Sequence, residues 1–291
     1  MEPDPALAAV KTHNYLRIAL AALVLLLFAS MAIEWWAAGR CLQPSISAYY
    51  YTPVHAVLVG VLVAAGVCLI ALKGSTDGED VLMNLAGMLA PGVAFIPTTG
   101  ARTCSSAPLL TPDIPAAVAN NLPSLILTGL VVGVVAVLIA RREGGAAGPS
   151  PADRLGLALS LAVLGAGAVW FVAARDSFVA RGHEAAAIPM FLAVVGVVWL
   201  NARDVQHAVR QQAAPPAHRR YVTIYRTIAV SMLAALAGTV AIGLATGSTT
   251  LVLWVEVVLI ALFAVFWLVQ TVELWNRGLR HPARVRTPLT R

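Results

Sequence analysis

The chain is 291 residues long, 59% hydrophobic and only 12% charged, with a mean hydropathy of +0.80. Soluble domains run near a quarter charged, so this composition excludes a chain that hides its apolar surface by folding alone and predicts an all-α bundle of transmembrane helices. A net charge of +6 suggests nucleic acid in a soluble protein, but here the charges flank apolar runs and read as a topology signal and an attraction to membrane lipids; no nucleic-acid partner is expected.

A hydrocarbon core about 30 Å thick takes about 20 apolar residues per helix. Eight candidate spans follow in chain order, at about 15–38, 53–72, 81–97, 120–140, 155–174, 187–200, 222–245 and 251–275, forming a single membrane domain over 1–291. The apolar core of the first run exceeds the 7 to 15 residues typical of a signal peptide and continues into Glu34-Trp35-Trp36, which predicts an uncleaved helix. Between the first two spans lies the hydroxyl- and aromatic-rich run Ser45 to Pro53, suited to the headgroup region. The third and sixth runs are the shortest, and each contains a proline, Pro91 and Pro189. In the fourth, Gly129 and Gly133 form a GxxxG pair of the kind that lets helices approach closely. Tyr221, Tyr225 and Arg226 open the seventh span while Glu273 and Trp275 close the eighth, as interfacial anchors do.

Basic residues resist translocation, so their distribution sets orientation. With the amino terminus inside, all of the 20 lysines and arginines except Arg40, Arg102, Arg175 and Arg181 fall on the cytoplasmic side. An odd number of spans would carry the carboxy-terminal arginines outside, so both termini are expected in the cytoplasm of a bacterial plasma membrane. That topology puts Cys41 and Cys104 in the first two outer loops, where an oxidising compartment favours a disulfide between them, and Cys68 within the second span.

Ionisable groups at membrane depth point to function because they are costly there. An outer layer contains Glu34, His55 and Glu256, with His183 and Glu184 among neighbours at helix ends; an inner layer contains Asp77, Glu79, Asp80 and Asn84, with Lys73, Arg154, Arg203 and Arg226 as basic partners. Asp80 and Asn84 are four residues apart and share one helix face. If these groups converge, Glu34, His55, Glu256, Asp80 and Asn84 would line a ligand site. Local pairing or snorkelling to water in the outer layer, and compensation of a helix dipole by the acids of the inner one, are the favoured account of each layer, with a functional pocket as the other reading.

Several chemistries lack their residues. There is no Schiff-base lysine in the last span, no paired histidines for haem, no HxxxH zinc pair, no GxSxG elbow and no Walker loop. No catalytic residue, metal or cofactor is expected. The segments Ser45 to Gly60 (SISAYYYTPVHAVLVG) and Ala71 to Gly87 (ALKGSTDGEDVLMNLAG) resemble a pattern in multi-pass bacterial membrane proteins, many actinobacterial, without an assigned activity. The resemblance covers about a sixth of the chain and implies a membrane location; His55 stands where arginine is expected in those proteins. The leading expectation is therefore a non-enzymatic membrane protein that binds or transports a small polar or amphipathic molecule, or an ion, through a helix-bundle cavity. The alternatives are an intramembrane lipid-modifying enzyme using His55 and Glu34 as an acid/base pair, and a structural or assembly subunit.

Overall fold

The computed structural model describes residues 5–98, 110, 112–143, 150–246 and 251–280. Among these residues there is no strand, and eight α-helices carry the fold: α1 (Pro5–Ala37), α2 (His55–Ala71), α3 (Asp77–Phe95), α4 (Ile114–Glu143), α5 (Pro151–Ala173), α6 (Arg175–Arg210), α7 (Arg219–Thr246) and α8 (Val252–Leu274). Two 3-10 turns, Ser47–Tyr51 and Pro216–His218, interrupt the connections. The all-α bundle is as expected. Six helices, all but α2 and α3, contain segments long and apolar enough to cross a membrane. α2 has 17 residues, and α3 has 19 with three acids in its first turn.

The helices outrun the apolar stretches that mark them. α1 begins at Pro5 instead of about 15, and α6 begins at Arg175 instead of about 187, so the expected outer loop before α6 is helix and only Ala174 separates it from α5. Hydropathy ends where charge begins, but arginine, glutamate and alanine are good helix formers, and the backbone ladder runs through Arg175–Ala187 without interruption. Starts are set by side-chain oxygens where these are available. Thr76 caps α3 by accepting from the Glu79 N–H, and Ser150 with Asp153 forms a reciprocal capping box on α5, with Pro151 in the first turn.

Six helices close a ring in the order α1, α2, α3, α6, α7, α8, with α8 returning to α1; α4 and α5 pack outside, chiefly on α3. Leu20, Met83, Val198, Tyr225, Met232 and Phe266 fill the ring's interior. The outer pair contributes little to it. α5 has no buried residue, and Leu127, Val131, Val169 and Val172 present apolar surface outward, as lipid-facing residues do.

Glycines bring two helix backbones close between α2 and α3, and not at the GxxxG pair of α4. A Cβ on Gly66 would lie 2.6 Å from the Gly87 carbonyl oxygen, and one on Gly87 would lie 2.6 Å from that of Gly66. Gly129 meets only Leu164 of α5, and Gly133 faces open space. Small residues at one crossing bring two backbones together, and the dispersion gained there is the main glue available between helices in lipid.

Candidate functional site

The most strongly bonded polar site lies at the end of the bundle where α1, α3, α7 begin and α6 and α8 end. Its centre is Arg280, six residues past α8, brought back under the ring by one turn. Gly278, four residues past the end of α8, has a left-handed φ of +67°, and its N–H donates to the Leu274 carbonyl at 2.9 Å. A Cβ at Gly278 would also meet Val10 of α1 at 3.2 Å, so both conformation and space favour glycine. Arg17 of α1 donates to the Gly278 carbonyl at 2.7 Å and Asn14 to that of Trp275 at 2.8 Å, tying the returning strand to α1.

Arg280 then spends its donors on three elements. Nε and Nη2 grip Glu273 in a two-pronged pair at 2.9 and 2.7 Å, and Nη1 reaches Asn201 Oδ1 at 2.8 Å and Asp204 at 3.3 Å, both on α6. Its backbone N–H donates to Ser75 Oγ at 3.3 Å. Tyr225 of α7 donates to Glu273 Oε2 at 2.5 Å, and Gln270 donates to Asn201 Oδ1 at 2.7 Å. The side chains are dry: exposure is 6% for Arg280, 2% for Glu273, 9% for Asp204 and 2% for Glu79. At this burial a planar, two-pronged guanidinium pair is far stronger than a surface ion pair, and any partner left alone would be costly.

Glu79 is the loosely held acid of the group. Its Oε2 accepts from the Ser75 N–H at 2.8 Å, while its Oε1 lies 3.9 Å from Arg280 and has no hydrogen-bond partner among the described residues. It sits in the first turn of α3, ahead of the apolar run. Burial pushes its carboxyl up to about 7, an effect that the Arg280 charge and the Ser75 N–H only partly offset. Two small cavities adjoin the network. One of about 40 Å³ lies between Val205, Ala208, His218 and the Glu273–Arg280 pair; one of about 10 Å³ lies between Arg17, Ser75, Glu79, Trp267 and Gln270.

The expected site residues do not gather there. Asp80 ties off the loop before α3, pairing with Lys73 and accepting from the Gly74 N–H, and Asn84 is half-buried one turn further on. It is Glu79, one residue earlier, that turns inward. Among the expected basic partners, Arg154 and Arg203 are exposed and Arg226 donates to Gln206 at 2.7 Å. Tyr225 and Glu273, read from sequence as interfacial anchors, are buried members of the network.

At the opposite end, Glu34, His55 and Glu256 each meet the segment between α1 and α2 at a different point. Glu256 accepts from the Ile46 N–H at 2.6 Å, while His55 bonds the Tyr50 carbonyl at 2.8 Å and stands edge-on to the Tyr50 ring. Glu34 is buried close to Tyr49, and no hydrogen bond among the described residues joins it to His55, as an acid/base pair would require. His183 is buried and links Ser47 Oγ at 2.8 Å to the Ile96 carbonyl at 2.7 Å, so the 3-10 turn is pinned to α6 and α8. The expected Cys41 to Cys104 link includes a residue, Cys104, outside the described ones. Cys68 is a half-buried free thiol.

The sequence offered one signal for Arg280 that hydropathy passes over. The run Leu274-Trp275-Asn276-Arg277-Gly278-Leu279-Arg280 places a helix-ending glycine and a buried leucine just before the arginine, the pattern of a chain that folds back instead of leaving. Asn201, Asp204 and Gln270 carried no comparable mark. No family model matches the chain, no curated protein matches it, and no solved structure does.

Proposed function

We propose that this chain is a multi-pass protein of a bacterial plasma membrane, with both termini in the cytoplasm, that binds or transports a small polar or amphipathic molecule and uses the charged network as its working part. The observation that carries the reading is the set of three acids, Glu79, Asp204 and Glu273, buried with Arg17 and Arg280 where five helices meet. Ionisable groups at such depth are retained at a cost, and in membrane bundles they mark ligand, ion or proton paths. A bundle stabilised by packing alone would be served as well by apolar side chains, because replacing a buried ion network with these is often neutral or stabilising. The arginine distribution supports the orientation, since the network lies at the end where most of the described basic residues fall, away from Arg40, Arg175 and Arg181. The cavities beside the network are far below the roughly 300 Å³ of a small-molecule pocket, so this arrangement corresponds to a closed state in which ligand entry requires the network to part.

The test is thermal unfolding of the purified protein in detergent against a panel of amino acids, amines, quaternary ammonium ions, sugars and short-chain amphiphiles. At least one member is expected to raise the melting temperature, with the shift lost in Asp204→Asn. A panel without any shift, or a shift indifferent to Asp204→Asn, removes the reading. Reporter fusions at each end check the orientation, and an extracellular signal from the carboxy terminus overturns it.

A further inference from the structure

The small cavity beside Glu79 is lined by polar atoms that the described residues leave unsatisfied. Among the described residues, Arg17 Nε and Nη1, Glu79 Oε1 and Trp267 Nε1 have no hydrogen-bond partner, although these residues are only 2%, 1% and 2% exposed. All three line the same space of about 10 Å³, together with Ser75 and Gln270. That is the room of one water molecule, and a buried water makes about three hydrogen bonds. One water can accept from two N–H groups at a time, one from the Arg17 guanidinium and one from the Trp267 indole, and donate to the Glu79 carboxyl oxygen; when the carboxyl is protonated, its O–H takes the place of one of those donors. A bare halide would meet Glu79 at close range and has less room.

Charge balance gives the site a second property. Around Glu79 stand Arg17 from α1, Asp204 from α6 and Arg280 beyond α8, with Asp80 on its own helix; Glu273 of α8 and Tyr225 of α7 join the group through Arg280, and Lys73 of the preceding loop and Asp77 are the other ionisable groups nearby in sequence. Lys73 is exposed and paired with Asp80. Arg280 is committed to Glu273 at 2.7 Å and to Asp204 at 3.3 Å, and reaches Glu79 only at 3.9 Å. Among the described residues, Arg17 and Arg280 give the buried group two positive charges against three carboxyls, so full ionisation would leave one negative charge out of water uncompensated by them. One proton removes it, and Glu79 is the acid with an oxygen free to carry that proton.

We propose that Glu79 and this cavity form a proton-binding site, in which the carboxyl holds a proton and one water, anchored by Arg17 and Trp267, exchanges it. The exchange breaks the Glu79 Oε1–H bond and forms an O–H bond on the water, whose receiving lone pair is freed as it lets go of the Trp267 indole, giving a carboxylate and a hydronium; the reverse step restores both, and no electrons are transferred. The role of this site in coupling protons to ligand movement rests on the function proposed above, whereas protonation itself does not.

Infrared difference spectroscopy of the full chain in lipid nanodiscs, titrated from about pH 5 to about pH 9, reads the carboxyl directly. The expected result is a protonated-carboxyl C=O band that shifts in deuterated buffer, fades with a midpoint near 7, and is missing in Glu79→Gln. Absence of the band in wild type at the acid end, or its survival in Glu79→Gln, overturns the site. Trp267→Phe removes only the indole donor, and is expected to move the band frequency and raise the midpoint; an unchanged frequency and midpoint there contradict the shared water. A normal band beside a ligand panel that shows nothing would remove the proposed function and leave the proton site standing, and ligand binding without the band would do the opposite.

Discussion

Replacing Arg280 tests whether the returning strand locks the ring. Arg280→Met keeps length and apolar stem but removes four side-chain contacts, leaving Glu273, Asp204 and Glu79 without their shared cation. Taking one partner from a buried ion pair typically costs about 3 to 5 kcal/mol, because the other charge stays buried and alone. Tyr225 still donates to Glu273 and Gln270 to Asn201, which places the expected loss toward the lower end. Arg280→Lys retains the charge but not the two-pronged grip, and is expected to lose about 1 to 2 kcal/mol. Equilibrium unfolding in mixed micelles measures both, and Glu273→Gln combined with Arg280→Met is expected to recover part of the loss. A loss below about 1 kcal/mol for Arg280→Met would refute the reasoning, since no buried network could be so indifferent to its central cation.

Other outcomes follow from the same geometry. Glu79 titrates near 7 in the folded chain against an ordinary 4.5, so between these values the folded state binds more protons than the unfolded one; its contribution to stability is whole below about pH 4.5 and falls as pH rises through 7, by roughly 3 kcal/mol, and a pH series of unfolding curves is expected to lose this slope in Glu79→Gln. Gly66→Val places branched carbons against the Gly87 carbonyl and should cost at least 1 to 3 kcal/mol (about the usual penalty for overpacking), a value that a thermal melt showing no change would exclude. Gly278→Ala strains a left-handed turn and crowds Val10, and is expected to destabilise by about 1 kcal/mol or more, with a neutral result contradicting the fold-back. Peptide mapping of the oxidised protein is expected to recover a Cys41 to Cys104 linked peptide, and finding both as free thiols would refute that pairing.

The bundle was legible because hydropathy is a property of contiguous residues. Apolar runs located every helix, and failed only at ends such as Arg175–Glu184, where charge interrupts hydropathy but not helix propensity. The site was much less legible, because a polar cluster is a property of residues that meet in space. Asp80 and Glu79 are neighbours with similar sequence credentials; the reach of Glu79 to the Ser75 N–H and toward Arg280, against the capture of Asp80 by Lys73, depends on the loop's path. Asn201 lies more than 60 residues from Gln270, and their hydrogen bond follows only once the ring closes. The outer residues Glu34, His55 and Glu256 share one layer in the sequence reading, yet each bonds or borders the Ile46–Tyr50 segment separately, an arrangement that spacing alone does not distinguish from convergence.

Solute-jump electrical recording on proteoliposomes tests the central claim, that the buried network moves charge with a ligand, most directly. Applying the same panel of polar and amphipathic compounds, the expected result is a transient current for at least one of them that disappears in Glu79→Gln and in Asp204→Asn. Silence across the panel with correctly oriented, folded protein, or currents of equal size in both variants, would contradict it.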